Sequence, residues 1–433
     1  MIDIRFLREH PDVVKAAAKN KNAQISSEDI DELLGLDKQR LELLGKIETL
    51  RQKRNELSDG LKSGRPTPEQ IKEGKELKAE LSELDKKFEE IDGKYIKLLK
   101  MVPNIPTNDV PIGKTEDENV IAKVVGEKPK FDFPVKNHWQ LAEEHDWIDK
   151  ERAAKIAGSR FAYLKGGLVR LQFALMSYGL DVLGDEKILK QIADEAGLKV
   201  STKPFVPVLP PAMARTEVYE ATARLDGEAT TYKLADDDLW LNASAEHTLA
   251  PMYMNEIIDE VDLPLRYVGF TTAFRREAGT YGKDMEGIWR LHQFDKLEME
   301  SFTTADQGLN EHLFMVAIQE YLMRSLELPY QVLLKCTADI GKPNARGVDI
   351  EAWLPGQDRY GETHTADYIT DYQARRMQTR VRRASGTVEL VHNNDATAYS
   401  QRPLIAIIEN NQQADGSVRV PKVLSKYYGG EVI

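Results

Sequence analysis

One cysteine, Cys336, is all that the 433 residues contain, so neither an internal disulfide framework nor a cysteine-built zinc cluster is available. Long apolar runs are missing too. Nothing approaches the roughly 18 to 20 consecutive apolar residues of a membrane-spanning helix, and no membrane partner is expected. The opening, MIDIRFLREHPDVV, lacks the apolar stretch and small-residue cleavage site of a secretory signal. Together these absences make a reducing cytoplasm the expected location. An excess of positive charge is absent as well. The 59 Lys and Arg residues against 71 Asp and Glu leave a formal net charge of −12, which repels phosphate and excludes a generic nucleic-acid coat. A polynucleotide partner therefore requires a local basic patch. No Walker-type phosphate loop, G-x-G-x-x-G turn or H-E-x-x-H helix occurs. Nucleotide chemistry would have to rest on arginine side chains and carboxylate-held metal.

What is present begins with a heptad run. Leu33, Leu36, Arg40, Leu43, Ile47, Leu50, Arg54, Leu57 and Leu61 alternate in steps of 3 and 4, the spacing of a coiled-coil seam. The pattern returns at Leu77, Leu81, Leu84, Phe88, Ile91, Tyr95 and Leu98. Between the runs, GLKSGRPTPEQ carries two glycines and two prolines and cannot continue a helix. Two such helices fold back as an antiparallel pair, each arm reaching roughly 40 Å. A dimerisation coiled coil or a spacer would show the same pattern. Charge placement argues for a contact surface near the tip. Arg51, Lys53, Arg54, Lys62 and Arg65 face only Glu56 and Asp59 over residues 51–65, a basic end that suits a phosphate-bearing partner.

The heptads stop at MVPNIPTNDVPIG, where Pro103, Pro106 and Pro111 mark a linker. The boundary is placed between residues 103 and 104, giving an arm of residues 1–103 and a second domain of 104–433. Beyond it, LPLRYVGF, LPYQVLL and LIAIIEN read as strand-like runs, and LNEHLFMVAIQEYLMRSL has helical spacing. Regular βαβ alternation is missing, so an α+β domain built on a mainly antiparallel sheet with flanking helices is expected. The densest chemistry lies in FRREAGTYGKDMEGIWRLHQFDKLEME, residues 274–300. Arg275 and Glu277 would share one face of a strand, followed by a Gly-bounded loop (Gly279, Gly282, Gly287). Phe294, Lys296 and Glu298 would share one face of the returning strand. Alone, that face could be a salt-bridged surface with one aromatic.

FRREAG with RLHQFDKLE resembles the second signature motif of class II aminoacyl-tRNA synthetases in its seryl form. ASAE at 243–246 resembles the family's Thr-Ala-Glu segment. DIEAWLPGQDRYGE with DYQARR, and RPLIAIIENNQQADGSVRVPKVL, resemble the approach to the third motif and the motif itself. The opening, the helical arm and PNIPTNDVPIG match in order, so the resemblance covers essentially the whole chain. It implies an N-terminal tRNA-gripping coiled-coil arm before a class II catalytic domain. It also implies a homodimer, with its first motif near FVPVLPPAM and Pro210 or Pro211 as that motif's proline.

The implied reaction joins L-serine to tRNA(Ser) through seryl-adenylate, with ATP as substrate, Mg2+ on the triphosphate and no zinc. Selenocysteine tRNA, tRNA(Sec), is a candidate second acceptor. Carried over by motif, Arg275 and Arg402 contact the phosphates and, with Glu362, form the catalytic set. Glu277 and Phe294 serve the adenine end, and Glu362 with Thr365 holds the metal. Ser244, Glu246, Arg275, Glu298 and Thr397 serve the amino acid, and Arg51, Lys53, Arg54, Lys62 and Arg65 the tRNA. Ser244 stands where the family usually has Thr, and Arg276 where a small Ser is frequent. HNNDATAYSQRP reads one residue short of the family pattern, so Asp395 competes with Thr397 for the serine hydroxyl. The run Arg375, Arg376, Arg380, Arg382 and Arg383 could touch the tRNA acceptor end or be a solvated helix face. His364 and Asp367 are not spaced as a zinc site. A paralogue with an altered amino-acid pocket and a non-catalytic binding homologue remain the competing readings.

Overall fold

The N-terminal heptads fold as two long helices in a computed structural model that describes every residue except 61–66, 226–230 and 278–286. Two short helices, α1 (Ile4–Glu9) and α2 (Pro11–Asn20), precede α3 (Ser27–Gly60) and α4 (Pro68–Met101). Helix α3 is opened by Ser26 and Asp29, each accepting the other's backbone N–H, at 2.8 and 3.0 Å. Helix α4 is opened by a capping box of Thr67 and Gln70 with Pro68 in its first turn, which satisfies orphan N–H groups where a proline costs nothing. It ends at extended Val102, the residue before Pro103. At 34 residues, each long helix spans about 50 Å, more than the heptads alone indicate.

The antiparallel register follows from cross-helix partners. Arg40 pairs with Asp92, Arg51 with Asp85 at 3.1 Å, and Leu57 packs near Gly74. Leu33, Leu36, Ile47 and Leu50 bury against Leu77, Leu81, Tyr95 and neighbours. Arg40, at a seam position, lays its guanidinium over Phe88 and Tyr95 at 5.5 and 5.1 Å, so its stem packs while its charge is paired. At the base of the hairpin the seam drifts: Leu99 is buried and Leu98 only half-buried. There the helix packs not on one partner but on a cluster containing Leu7, Val14 and Ile30. Residues Met1–Ile105 form one compact unit and Pro106–Ile433 a second.

The second unit is organised by an eight-stranded sheet. In chain order its strands are β1 (Val120–Val125), β2 (Val206–Val208), β3 (Leu265–Phe274), β4 (Gln293–Thr303), β5 (Tyr330–Leu334), β6 (Arg346–Leu354), β7 (Arg359–Thr370) and β8 (His392–Tyr399). Their spatial order is β1-β5-β6-β7-β8-β4-β3-β2. Every pair is antiparallel except β2 with β3. Period-two alternation sorts the side chains of β4. Leu297 and Met299 join a core shared with helices Gly167–Gly184, Gly308–Ser325 and Arg402–Asn410. Lys296, Glu298 and Glu300 point the other way. These too are buried, because the opposite face is also covered, by helical segments such as Glu246–Leu249 and Tyr372–Met377.

Two local expectations are corrected. LIAIIEN is not a strand but most of the helix Arg402–Asn410. Pro403 sits in its first turn and the run is buried on nearly every side, so no helical periodicity shows in the sequence. Arg275 and Glu277 do not share a strand face, since β3 ends at Phe274 and Glu277 has φ 50°. Of the expected loop glycines, Gly279 and Gly282 lie outside the described residues. Gly287 has φ 60°, and a Cβ there would meet His138 Nε2 at 1.9 Å, so only glycine fits.

Candidate active site

A cavity of about 300 Å3 opens on the charged face of the sheet, and Arg275, Glu277, Phe294, Glu362, Thr365, Thr397 and Arg402 all line it. The hairpin β3–β4 brings Arg275 next to Phe294. Beyond the last strand pair the hairpin is prolonged by His292, whose carbonyl accepts from Arg275 N at 2.9 Å and whose Nδ1 lies 2.8 Å from the Arg275 carbonyl. This fixes the backbone of Arg275, a positioning role that spacing did not reveal. The guanidinium stacks over Phe294 at 5.1 Å and Nε donates to the Ala243 carbonyl at 3.2 Å.

Arg402 reaches the cavity from the first turn of its helix. It is ion-paired to Glu362 at 2.9 Å, donates to the Glu362 carbonyl at 3.1 Å, and lies over Trp289 at 5.0 Å. Burial, then the charge of Arg402, depresses the pKa of Arg275. Two cations that repel each other across one partly desolvated cavity form a site for a polyanion. Burial raises the pKa of Glu362, yet Arg402 and Lys335 override it and hold the carboxyl at about 2. It is ionised at any physiological pH. Glu277 is tied to Arg290 at 2.6 Å, and its carbonyl accepts from Arg160 at 3.1 Å.

A carboxylate group not singled out in the sequence surrounds Thr365. Its hydroxyl donates to Asp349, and Lys335 lies 3.5 Å from Asp349 and 3.6 Å from Asp339. Burial raises the Asp349 carboxyl to about 7 against the pull of Lys335. Among the described residues, no group of three or more His, Cys, Asp or Glu side chains is arranged to hold a metal. Glu362, Thr365 and Asp349 nonetheless offer hard oxygen donors, which fit a Mg2+ ion whose remaining ligands are phosphate oxygens and water.

The deeper part of the site is a buried ionic network. Arg224 donates to Glu246 at 2.6 Å and to Asp395 at 3.2 Å, and Gln373 donates to Glu246 at 3.0 Å. Burial would raise Glu246, but Arg224 keeps it below the ordinary glutamate value. Asp395 and Glu300, register partners on β8 and β4, are pushed well above theirs by burial and then by Glu246. Thr397 is the register partner of Glu298 and lines the cavity, whereas Asp395 is engaged by Arg224. Ser244 Oγ accepts from Glu246 N at 3.3 Å and from Lys296 Nζ at 3.4 Å. Lys296 is also paired with Glu298. Arg224 and Lys335 left no signal in the sequence, each being one charge in a segment without a recognised motif.

The remaining candidates lie elsewhere. Arg51, Lys53 and Arg54 are exposed on α3, and Lys62 and Arg65 fall outside the described residues. The basic run is split between a helix and a strand. Arg375 pairs with Asp371, Arg382 with Asp259 at 3.1 Å, and Arg383 with Asp306 at 2.9 Å. Cys336 is buried, with Sγ donating to the Thr115 carbonyl at 3.2 Å. His364 is buried beside Thr363 at 2.8 Å.

Comparison with known proteins places this geometry. Residues 1–106 match the seryl-tRNA synthetase N-terminal domain, and residues 231–411 match the tRNA synthetase class II core domain (G, H, P, S and T). The chain is 39% identical to the serine–tRNA ligase of Dictyoglomus turgidum over 99% of this chain and 98% of that protein. It is likewise 39% identical to the serine–tRNA ligase of Methanocella arvoryzae over 99% of each. Among solved structures, seryl-tRNA synthetase from Pyrococcus horikoshii complexed with ATP superposes with a TM-score of 0.89 at 36% identity, over 100% of this chain and 99% of that one. The cytoplasmic serine–tRNA ligase of Naegleria fowleri in complex with AMP gives 0.84 at 26% identity, over 100% and 98%. With its N-terminal domain, its class II core and its full length all matched, the chain belongs to the seryl-tRNA synthetase family of class II aminoacyl-tRNA synthetases.

Proposed function

We propose that the chain activates L-serine with ATP and transfers it to tRNA(Ser). The observation that carries this reading is the pair of arginines facing one cavity, with ionised Glu362 beside Arg402. A carboxylate is already a nucleophile at neutral pH, so the first step needs alignment and charge neutralisation rather than a general base. The serine carboxylate attacks the α-phosphate of ATP, pyrophosphate leaves, and seryl-adenylate remains. Arg275 neutralises the α-phosphate and Arg402 holds the nucleotide from the other side, each through a planar fork suited to phosphate. Phe294 stacks on adenine, with Glu277 at the same end. Mg2+ carried by the triphosphate would be held by Glu362 and Thr365 and would offset phosphate charge.

Glu298, Ser244 and Glu246 receive the amino acid's α-ammonium, and Thr397 its hydroxyl. A pocket that hydrogen-bonds that hydroxyl rejects alanine, because its polar groups would be left unpaired. In the second step a ribose hydroxyl at the tRNA 3′ end attacks the activated carbonyl and AMP leaves. The arm of residues 1–103 grips tRNA(Ser) through Arg51, Lys53, Arg54, Lys62 and Arg65, with tRNA(Sec) as a second acceptor. Two copies pair through the segment around Pro210 and Pro211. Support comes from β2, an edge strand whose Val206 and neighbouring Leu209 are exposed. These substrates belong to translation in the cytoplasm.

The test is amino-acid-dependent ATP–pyrophosphate exchange across all twenty amino acids with magnesium. Exchange with serine alone is expected. Exchange with another amino acid overturns the specificity, and exchange with none overturns the enzymatic reading.

A further inference from the structure

Lys296 stands between the cavity and the carboxylate assigned to the substrate ammonium. Lys296 and Glu298 are two residues apart on one face of β4. Lys296 lines the cavity and Glu298 does not. The Lys296 ammonium is ion-paired with Glu298, and their side chains are 9% and 1% exposed. The same nitrogen donates to Ser244 Oγ at 3.4 Å. The protein's own ammonium therefore sits on two of the three groups that the serine reading gives to the substrate's, Glu298 and Ser244.

A second ammonium cannot share this place without cost. Burial already raises Glu298 above the ordinary glutamate value, and Lys296 is the leading group that opposes the shift. Breaking a buried pair by withdrawing one partner leaves an uncompensated charge. Lys296 can give up Glu298 only if it gains another anion. An α-amino acid supplies one: its ammonium goes to Glu298 and Ser244, and its carboxylate lies one bond from the ammonium-bearing carbon, beside Lys296.

We propose that Lys296 exchanges partners when an amino acid binds, releasing Glu298 to the substrate ammonium and taking the substrate carboxylate. This rests on the serine-activation reading and adds a recognition rule to it. The pocket selects the zwitterion, not the ammonium or the hydroxyl alone. A ligand with the ammonium and no carboxylate must evict Lys296 without repaying it. No bond is made or broken in the exchange, and each cation ends with one anion.

The experiment measures binding of L-serine and of L-serinamide, which keeps the ammonium and hydroxyl but lacks the carboxylate. It is done by titration calorimetry on the wild-type chain and on Lys296→Met. The wild type is expected to bind serinamide at least about tenfold more weakly than serine, the weight of one charged hydrogen bond. In Lys296→Met the two ligands move in opposite directions: serine weakens by about tenfold or more, and serinamide tightens because Glu298 is bare. A purely structural role for Lys296 cannot improve binding of serinamide. An unchanged far-ultraviolet circular dichroism spectrum and melting temperature report an intact fold. Glu298→Gln, nearly isosteric, checks the exchange from the other side and is expected to weaken both ligands. If Lys296→Met shifts both ligands alike or neither, the exchange is overturned, as it is if Glu298→Gln leaves both unaffected. A wild type that shows no serine-dependent pyrophosphate exchange overturns the serine reading and this inference together. Exchange with serine but parallel shifts in the variants overturns only the inference.

Discussion

The arm and the catalytic unit handle charge in opposite ways. On the arm, several ionic pairs are exposed, some within one helix and some across the hairpin. Lys87 with Glu83 and Lys72 with Glu76 sit one helical turn apart, and Arg51 crosses to Asp85 with both side chains about half in water. Such pairs contribute up to about 1 kcal/mol, so the arm is held by the Leu/Ile seam. In the catalytic unit, Arg224 with Glu246 and Asp395, and Arg266 with Glu311, are buried and join segments far apart in sequence. Buried pairs contribute little net stability, because desolvation offsets their attraction. The contrast teaches that one region rests on a local periodic pattern and leaves much of its charge in water. The other buries charge in networks that tie separate segments together.

Substitutions can break that contrast, beginning with the largest effect. Arg275→Ala is expected to lower serine-dependent pyrophosphate exchange about a thousandfold, with unchanged circular dichroism of the arm helices. Exchange within about threefold of wild type would remove Arg275 from the phosphate site. Deleting residues 40–95 should do the reverse, leaving exchange near wild type while tRNA charging collapses. Charging at an unchanged rate would end the tRNA-gripping assignment of the arm.

The pH dependence of stability should also separate the regions. Burial holds His247 and His312 at about 3 and His364 at about 4, against 6.5 in the unfolded chain. Below pH 6.5 the unfolded state binds protons at these histidines that the folded state refuses, so their contribution to stability falls as pH drops. The cost is about 2 kcal/mol per histidine between pH 6.5 and 5. All three lie in the catalytic unit, and the single histidine of the arm, His10, is exposed. Asp349, Asp395 and Glu300, whose carboxyls burial raises, act in the opposite sense in the same unit. The histidine contribution is therefore read from His312→Gln, whose stability change from pH 6.5 to 5 in denaturant melts should be more favourable than the wild type's by about 2 kcal/mol.

Smaller effects sharpen the comparison. Leu81→Ala in the buried seam should cost about 2 kcal/mol, read as earlier helix melting in the arm, with pyrophosphate exchange unaffected. Arg51→Ala, which removes a half-exposed pair, should change stability by less than about 1 kcal/mol. It should still weaken tRNA binding and lower its salt dependence, as expected of a phosphate contact. A stability loss as large as that of Leu81→Ala would assign Arg51 to the seam instead.

Much of this molecule could be read residue by residue. The 3-4 alternation located both long helices because a two-helix seam repeats within each helix and needs no distant information. Motif order drew attention to Arg275, Phe294, Glu362 and Arg402, which the fold brings to one cavity. Phe294, Lys296 and Glu298 were placed on one face by the period of a strand. LIAIIEN was misread because a helix buried on all sides has no amphipathic period. Glu277 was misread because a chain leaving a sheet in a left-handed conformation looks like its continuation. Arg224, Asp349 and Lys335 were invisible as site residues. Their meaning comes from what lies opposite them, at sequence distances that no local pattern spans.

The amino-acid sequence by itself determined the coiled-coil arm, the antiparallel α+β class, the order of the motifs and the acidic net charge. These follow from periodicity, residue chemistry and net charge, which are additive along a chain. Only the tertiary structure decided that Arg275 and Arg402 face one cavity, that Asp395 is engaged by Arg224 while Thr397 lines that cavity, and that Lys296 lies over Glu298. Each is a pairing of charges brought together by strand register and helix packing. In a desolvated interior, such pairings set ionisation and reach, and the chain does not express them before it folds.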